Sequence, residues 1–362
     1  MKAVAVFPGT HEVRVIDQPP PPVAKGTEVL LKVREVGICG TDREIAAFEY
    51  GDPPPGEDHL VIGHEALAQV EAVGPGVTKL RPGDLVIPSV RRPCLHEDCL
   101  ACRAGRQDFC VTGDFRERGI KQTHGFLTEQ TVEEEGNLTR VPPELADVAV
   151  LTEPLTIAAK AVQQVKTLQQ RLPWEPAKQR AVVLGAGPVG LLGAMTMVAH
   201  GFETHVYSME PQDSDRADLV RSFGAGYLSG QDVKPEELGK KLGNIDLIYE
   251  AVGHAKLAFT ALESLGPNGL FIFTGIPPLS GDTPLPADHL MRNIVLENQL
   301  LFGTVNASRS AYALALKLLG QCMELFPDSV RRIITAHRSI EDAPGMLLER
   351  TGIKEVVRLA WN

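Results

Sequence analysis

Apolar and polar positions change their period twice along this 362-residue chain. Over about the first 150 residues they alternate in short runs broken by turn clusters. The opening MKAVAVFPGTHEVRVIDQP alternates like a strand, and 28–34 and 59–63 are apolar runs. Segment 66–73 is a strand candidate ending at Gly74-Pro75-Gly76, and 84–88 follows another turn. This part therefore reads as mostly β. From Leu155 to about Leu172 the spacing becomes helical, with Ile157, Ala161, Val165 and Leu168 on one face. Between Arg180 and Asn306 strands alternate with helices. Strands are predicted at 181–184, 204–207, 246–251 and 269–274, with a fifth candidate at 299–303. Such alternation implies βαβ units and a parallel sheet. The remainder holds one long helix pattern from Ser310 to about Leu325 and a closing strand at 355–359. There is no internal repeat of fixed period.

Length and composition, 43% hydrophobic and 23% charged, fit an ordinary globular protein of two or three domains, and the strand–helix alternation makes the class α/β. Lys and Arg number 36 against 46 Asp and Glu, a formal net charge of -10, and aromatics are 5%. A basic groove with stacking platforms is thus disfavoured, and nucleic acid is not expected as a partner. The same sign disfavours an anionic membrane surface. The uncharged run 181–199 approaches the length of a membrane span. Glycines at 185, 187, 190 and 193 and Pro188 break it, so a strand, turn and helix explain it better. No signal-peptide pattern opens the sequence, and the expectation is a cytoplasmic chain with reduced thiols.

The first chemical motif is Gly185-Ala-Gly187-Pro188-Val189-Gly190, directly after an apolar strand and opening an apolar helix. That context turns a weak glycine pattern into evidence for a dinucleotide turn, the alternative being a tightly packed βα turn with no ligand. Gly185 permits the tight turn, Gly187 lets the backbone approach a pyrophosphate, and Gly190 allows helix and strand to pack closely. An acidic residue is expected about 20 residues on, for the ribose hydroxyls. Here Glu210 suits NAD and repels a 2′-phosphate, whereas Ser208 could serve either cofactor and Arg216 is near enough in sequence to reach a phosphate. The balance favours NAD over NADP by a small margin. Thr274 and Asn306 complete the candidate cofactor set.

Four of the six cysteines cluster as Cys94-x4-Cys99-x2-Cys102-x7-Cys110. Four soft thiolates can close a tetrahedral structural zinc site. The alternative is a loop of free thiols, and His96, inside the long first gap, is the one obvious substitute ligand. A third constellation combines Cys39 and Thr41 in Gly37-Ile-Cys39-Gly-Thr41-Asp42 with His64 and Glu65 in Gly63-His64-Glu65, and with Glu153 in Thr152-Glu153-Pro-Leu155. Singly these residues usually belong to cores, turns or surfaces. Together a thiolate, an imidazole and one or two carboxylates suit a catalytic zinc with an open coordination position.

These pieces, with the stretch 109–120 and Gly303-Thr-Val-Asn306-Ala307, resemble the zinc-dependent medium-chain dehydrogenase/reductase superfamily over essentially the whole chain. Within it the chain is most similar to the archaeal-type glucose dehydrogenases. The resemblance implies a GroES-like, mainly-β catalytic domain from 1–160, with a zinc lobe at about 90–112. It further implies a Rossmann doubly wound parallel-sheet domain at 161–306 and a return to the catalytic domain at 307–362. It places Cys39, His64 and Glu65 around the catalytic zinc, with Glu153 bound directly or through water, and Thr41 beside the reacting hydroxyl. Glu117 and Asn306 match positions that hydrogen-bond sugar hydroxyls, and Ser89 stands where Asn is often found, so Thr41, Ser89, Glu117, Glu153 and Asn306 form the expected sugar set. Thr41, Glu65 and Glu153 are the candidates for passing on the proton. The implied activity is oxidation of an aldose, D-glucose or a close relative, at C1 to the aldonolactone with reduction of NAD(P), in a homodimer or homotetramer. The alternatives are a polyol or threonine-type zinc dehydrogenase of the same superfamily, and a nucleotide-binding redox sensor without catalysis. Two departures stand out: four residues rather than two separate Cys94 from Cys99, and Met209-Glu210 replaces the arginine pair of NADP-binding relatives.

Overall fold

The computed structural model of the protein describes residues 1–22, 24–174, 178–279 and 281–359. The chain divides into two compact units. The first comprises Met1–Thr156, Asn306–Gly320 and the tail from Ile333, and the second Ile157–Val305 and Gln321–Arg332.

The first unit is built on strand Glu28–Gly37, whose alternating residues are buried along most of its length. Half-buried strands of this kind read as alternation because successive side chains face opposite sides. The sheet runs in the order Leu138–Arg140, Leu85–Pro88, Glu65–Val73, Glu28–Gly37, Lys354–Arg358, Ile334–Arg338, with Gln130–Glu134 also paired to Glu28–Gly37. At the end of strand Glu28–Gly37, Gly37 lies opposite Glu65 on one side and opposite Val356 on the other. The strand nearest the carboxyl terminus is thereby brought beside the Gly37-Ile38-Cys39 segment. Smaller three-stranded sheets join Glu12–Asp17, Lys2–Phe7 and Leu60–Val61, and Arg91–Arg92, Arg116–Arg118 and Gln122–Thr123. The core under the main sheet includes Val33, Val36, Ile62, Phe126, Leu127 and Val357. Each fully buried side chain of this size contributes about 1.5–3 kcal/mol.

The second unit is a six-stranded parallel sheet in the order Gly226–Ser229, Glu203–Ser208, Arg180–Leu184, Leu247–Glu250, Leu270–Phe273, Leu300–Gly303. Its inner strands are apolar on both faces, as parallel strands covered by helices on both sides must be. Strand order reverses beside Arg180–Leu184, the position at which doubly wound sheets open a crevice for dinucleotides. The mixed α/β class read from the sequence therefore holds. Strand Gly226–Ser229 is not visible in the sequence pattern, because four residues behind Gly224 are too short to show a period.

Helix Thr152–Gln169 begins three residues before the predicted start at Leu155. Pro154 falls in its first turn, where the absent N–H costs nothing, and Glu153 consequently sits on the helix rather than before it. The uncharged run 181–199 resolves into strand Arg180–Leu184 and helix Pro188–Ala199. Among the described residues no helix is long and apolar enough to cross a membrane.

Candidate active site

Strand Glu28–Gly37 delivers Cys39 to the start of helix Gly40–Ala46, and strand Glu65–Val73 opens immediately after His64. A buried carboxylate ties the two segments together. Asp42 is fully inaccessible, its Oδ2 accepts the Cys39 N–H at 2.8 Å, and its Oδ1 accepts the Gly63 N–H at 3.2 Å. The same Oδ1 lies 3.2 Å from His64 Nδ1. Burial alone would raise the Asp42 carboxyl, but His64 and the Cys39 N–H outweigh it and hold it below its usual range. Burial pulls the His64 imidazolium down, and Asp42 and Cys39 reverse this, keeping the ring well above its ordinary value. A carboxylate behind a ligating imidazole is the arrangement that fixes ring orientation in metal sites. The potential ligand atoms of Cys39, His64 and Glu65 all lie within 4.8 Å of one another. Thiolate, imidazole and carboxylate at this separation fit a zinc ion.

Glu65 is occupied. Lys354, reaching in from the last described strand, donates to Glu65 Oε1 at 2.7 Å, to Oε2 at 2.5 Å and to the Ile38 carbonyl at 3.0 Å. Both residues are 1% exposed. Desolvation would lower the Lys354 pKa, but the charges of Glu65 and Cys39 raise it. A Cβ on Gly37 would collide with the Glu65 carboxylate, so glycine is what makes room for the pair. Sequence reasoning does not find Lys354, since at 289 residues from Glu65 it leaves no local signal. Asp42 lies within a recognised motif, yet nothing in the sequence distinguishes it from an ordinary helix-start acid.

Glu153 stands outside the close trio. Its carboxyl is pushed up to about 7 by desolvation, with His64 pulling it down and Glu65 pushing it further up. Thr41 occupies the first turn of helix Gly40–Ala46 and is half-buried.

The expected sugar-binding residues fall in the same unit. Glu117 lies opposite Arg91 across two antiparallel strands, and Arg91 Nε donates to Glu117 Oε1 at 3.0 Å. With the Asn306 amide assigned the orientation that satisfies its neighbours, its NH2 donates to Glu117 Oε1 at 3.0 Å and its carbonyl accepts from Arg91 Nη2. Ser89 is buried, with its N–H on the Asn137 carbonyl and its hydroxyl 3.3 Å from Arg92 Nη1. Tyr312, which no sequence motif marks, is buried and its hydroxyl oxygen accepts the Val90 N–H at 3.1 Å. Burial first, and then the Glu153 charge, hold this phenol well above its ordinary value, with Glu117 adding to the effect.

In the second unit the turn after Arg180–Leu184 has the required backbone. Gly185 adopts φ +102°, where a Cβ would also press on Val252 at 2.8 Å, and a Cβ on Gly190 would strike the Gly185 carbonyl. Gly187 caps helix Pro188–Ala199, with Pro188 and Val189 in its first turn. A cavity beyond the strand ends is lined by Tyr207, Met209, Val252 and Leu257 together with the polar Lys234, Glu236, His254 and Lys256. Glu210 accepts the hydroxyl of Ser208 in a short hydrogen bond and pairs with Arg216 at 3.2 Å, and Arg216 also donates to the Ala186 carbonyl at 3.1 Å. Thr274 donates its hydroxyl to the Glu250 carbonyl at 2.6 Å, so it ties neighbouring strand ends together.

The four lobe cysteines converge, their sulfurs all within 4.8 Å of one another. Backbone N–H groups of Cys102 and Val111 point at Cys99 and hold its thiol below the ordinary value. The long first gap, 95–98, lies exposed as a bulge. His96, the candidate substitute ligand, turns away and pairs with Asp114 at 2.5 Å. Four thiols so gathered fit a closed zinc site.

Comparison with known proteins settles the family. The alcohol dehydrogenase GroES-like domain matches residues 25–143, and the glucose dehydrogenase C-terminus matches 146–359. A glucose 1-dehydrogenase of Methanocella arvoryzae is 36% identical over 361 residues, covering 99% of each chain. The chain belongs to the glucose dehydrogenase family. Another member, the glucose 1-dehydrogenase of Thermoproteus tenax, is 39% identical over 336 residues and 92% of each chain. The glucose dehydrogenase of Haloferax mediterranei, solved in complex with NADP, Zn and gluconolactone, superposes with a TM-score of 0.89 at 29% identity over the full length of both chains.

Proposed function

We propose that this chain oxidises an aldose, D-glucose or a close relative, at C1 to the aldonolactone, passing hydride to NAD(P)+. The observation that carries the reading is the thiol–imidazole–carboxylate trio of Cys39, His64 and Glu65, in one unit with the polar Arg91–Glu117–Asn306 cluster. Cys39 and His64, with Glu65 and with Glu153 directly or through water, would hold a catalytic zinc; the four lobe cysteines would hold a structural one. Bound there, zinc supplies Lewis acidity that favours ionisation of the sugar's anomeric hydroxyl. The chain's own residues do the rest. Asp42 holds the Cys39 and His64 segments in one geometry. Glu65 has both oxygens engaged by the Lys354 ammonium, which leaves Thr41 and Glu153 as the open route. Those two side chains are the candidates for carrying the hydroxyl proton away. As the O–H bond breaks, the C1–H pair departs as hydride to the nicotinamide and the C1–O bond becomes the lactone carbonyl. Glu117, Asn306 and Ser89 orient the remaining hydroxyls.

For the cofactor, the Glu210 contacts favour NAD. Ser208 and Arg216, the two groups a 2′-phosphate would need, are both engaged by the Glu210 carboxylate. One experiment tests substrate and cofactor together: steady-state rates on glucose, galactose, xylose and polyols with each cofactor. The expected result is highest kcat/KM on an aldose with NAD, and a product that hydrolyses from lactone to acid. Turnover confined to polyols or to threonine would overturn the substrate reading, and a strong NADP preference the cofactor one.

The assembly we propose is a homodimer formed through the second unit, whether or not dimers pair further. Strand Leu300–Gly303 is a sheet edge, and helix Ala287–Leu296 leaves Met291, Val295 and Leu296 between 60% and 69% exposed. An open edge beside apolar side chains is a surface that a second copy covers by the same patch. Light scattering should give at least twice the chain mass, falling to the monomer mass for Val295→Glu; a monomeric wild type would refute this.

A further inference from the structure

Sugar recognition through Glu117 requires that its carboxylate be held in one orientation, and the motif residues alone do not hold it. We infer that Arg91 is a positioning residue for sugar recognition, acting through Glu117 and Asn306; this rests on the proposed aldose activity. Several observations support it. Arg91 is 9% exposed and Glu117 3%, so their contact is shielded from water and its geometry is enforced. Both the Arg91 Nε and the Asn306 amide converge on one carboxylate oxygen, Glu117 Oε1. The other oxygen, Oε2, has no partner among the described residues and is left to accept a hydroxyl. Finally, the guanidinium is held from its flat side by Phe115, whose ring centroid lies 3.5 Å from Cζ.

Arg91 thus does two things at once. Its Nε fixes the rotation of the carboxylate, and its Nη2 fixes which way the Asn306 amide points. Asn306 itself has φ +59°, a backbone conformation that asparagine tolerates better than most residues. With its carbonyl on Arg91 and one N–H on Glu117, the amide keeps a second N–H for a ligand. The cluster therefore presents an acceptor and a donor in fixed relation, which is what vicinal hydroxyls of a sugar require. A lysine at 91 would retain the charge but could neither span both partners as a planar fork nor stack on Phe115 in the same way.

The test is a set of variants read by KM and kcat separately. Arg91→Lys should raise the KM for glucose roughly ten- to hundredfold, the loss of a charge-assisted hydrogen bond, with a smaller change in kcat. Its zinc content should match the wild type. Glu117→Gln should also raise the glucose KM, and the Arg91→Lys/Glu117→Gln double variant should fall clearly short of the product of the two single effects, because Arg91 acts in part through that carboxylate. Should Arg91→Lys fail to fold, Phe115→Leu decides: it should raise the glucose KM in the same direction by a lesser factor. An unchanged glucose KM in Arg91→Lys or, in its absence, in Phe115→Leu, or effects that multiply in the double variant, would overturn the inference while leaving the aldose reading intact. An unchanged KM in Glu117→Gln would instead remove the sugar-site reading, and the inference with it.

Discussion

His64→Ala should lower kcat/KM on glucose by about a thousandfold or more, and Cys39→Ser should have an effect of the same order. Lewis acidity supplies several kcal/mol of transition-state stabilisation, and each 1.36 kcal/mol is about tenfold in rate. Both variants should lose the catalytic zinc equivalent while the lobe retains its own, since the two ligand clusters share no residue. Zinc content by mass spectrometry, cofactor binding by fluorescence titration and rate on glucose separate the cases. A variant that loses zinc yet keeps wild-type turnover would refute a zinc-dependent reaction. Asp42→Asn is the milder companion: it keeps the ligands but replaces the charge that orients His64, and a loss of roughly 10–100-fold in metal affinity or activity is typical of such changes.

Lys354→Met is expected to destabilise the protein by about 3–5 kcal/mol, the usual cost of leaving one member of a buried ion pair without its partner. The variant strands Glu65 at 1% exposure beside Cys39 and Glu153. Adding Glu65→Gln should recover much of that loss, because removing both charges avoids the buried unpaired one. Urea denaturation of the single and double variants measures this directly. If the double variant is less stable than Lys354→Met alone, the pair is not what makes that side chain necessary. Activity should stay low in the double variant even where stability returns, since the carboxylate at 65 is then absent from the trio.

What can be read from sequence divides along a physical line. The Gly185–Gly190 turn is legible because its function is written in consecutive residues whose backbone needs are local. Cys39, His64 and the four lobe cysteines are legible as residue types, since few other roles gather thiols and imidazoles. The carboxylates are harder. Glu65, Glu153, Glu117 and Asp42 are all glutamates or aspartates in short motifs, and only tertiary placement makes one a Lys354 partner, another a group titrating near 7 and another a clamp on the backbone. The cations that set their roles, Lys354 and Arg91, come from strands distant from or merely adjacent to the recognised motifs, and in sequence they look like ordinary exposed charges. Helix Thr152–Gln169 shows the same limit at smaller scale. Its apolar stripe is visible, but its start is not, because Glu153-Pro154 breaks the stripe while fitting a first helical turn.

The pairing of strands Glu28–Gly37 and Lys354–Arg358 sets an order of events during synthesis. Glu65 leaves the ribosome 289 residues ahead of the lysine that neutralises it. At about 5–20 residues per second that interval is roughly 15–60 s. Throughout it Cys39, His64 and Glu65 can be close together while the sheet lacks the strand that completes their surroundings. Until then the Glu65 carboxylate lacks the counter-charge it has in the finished fold, so the closing strand completes the charge balance of the trio as well as the sheet.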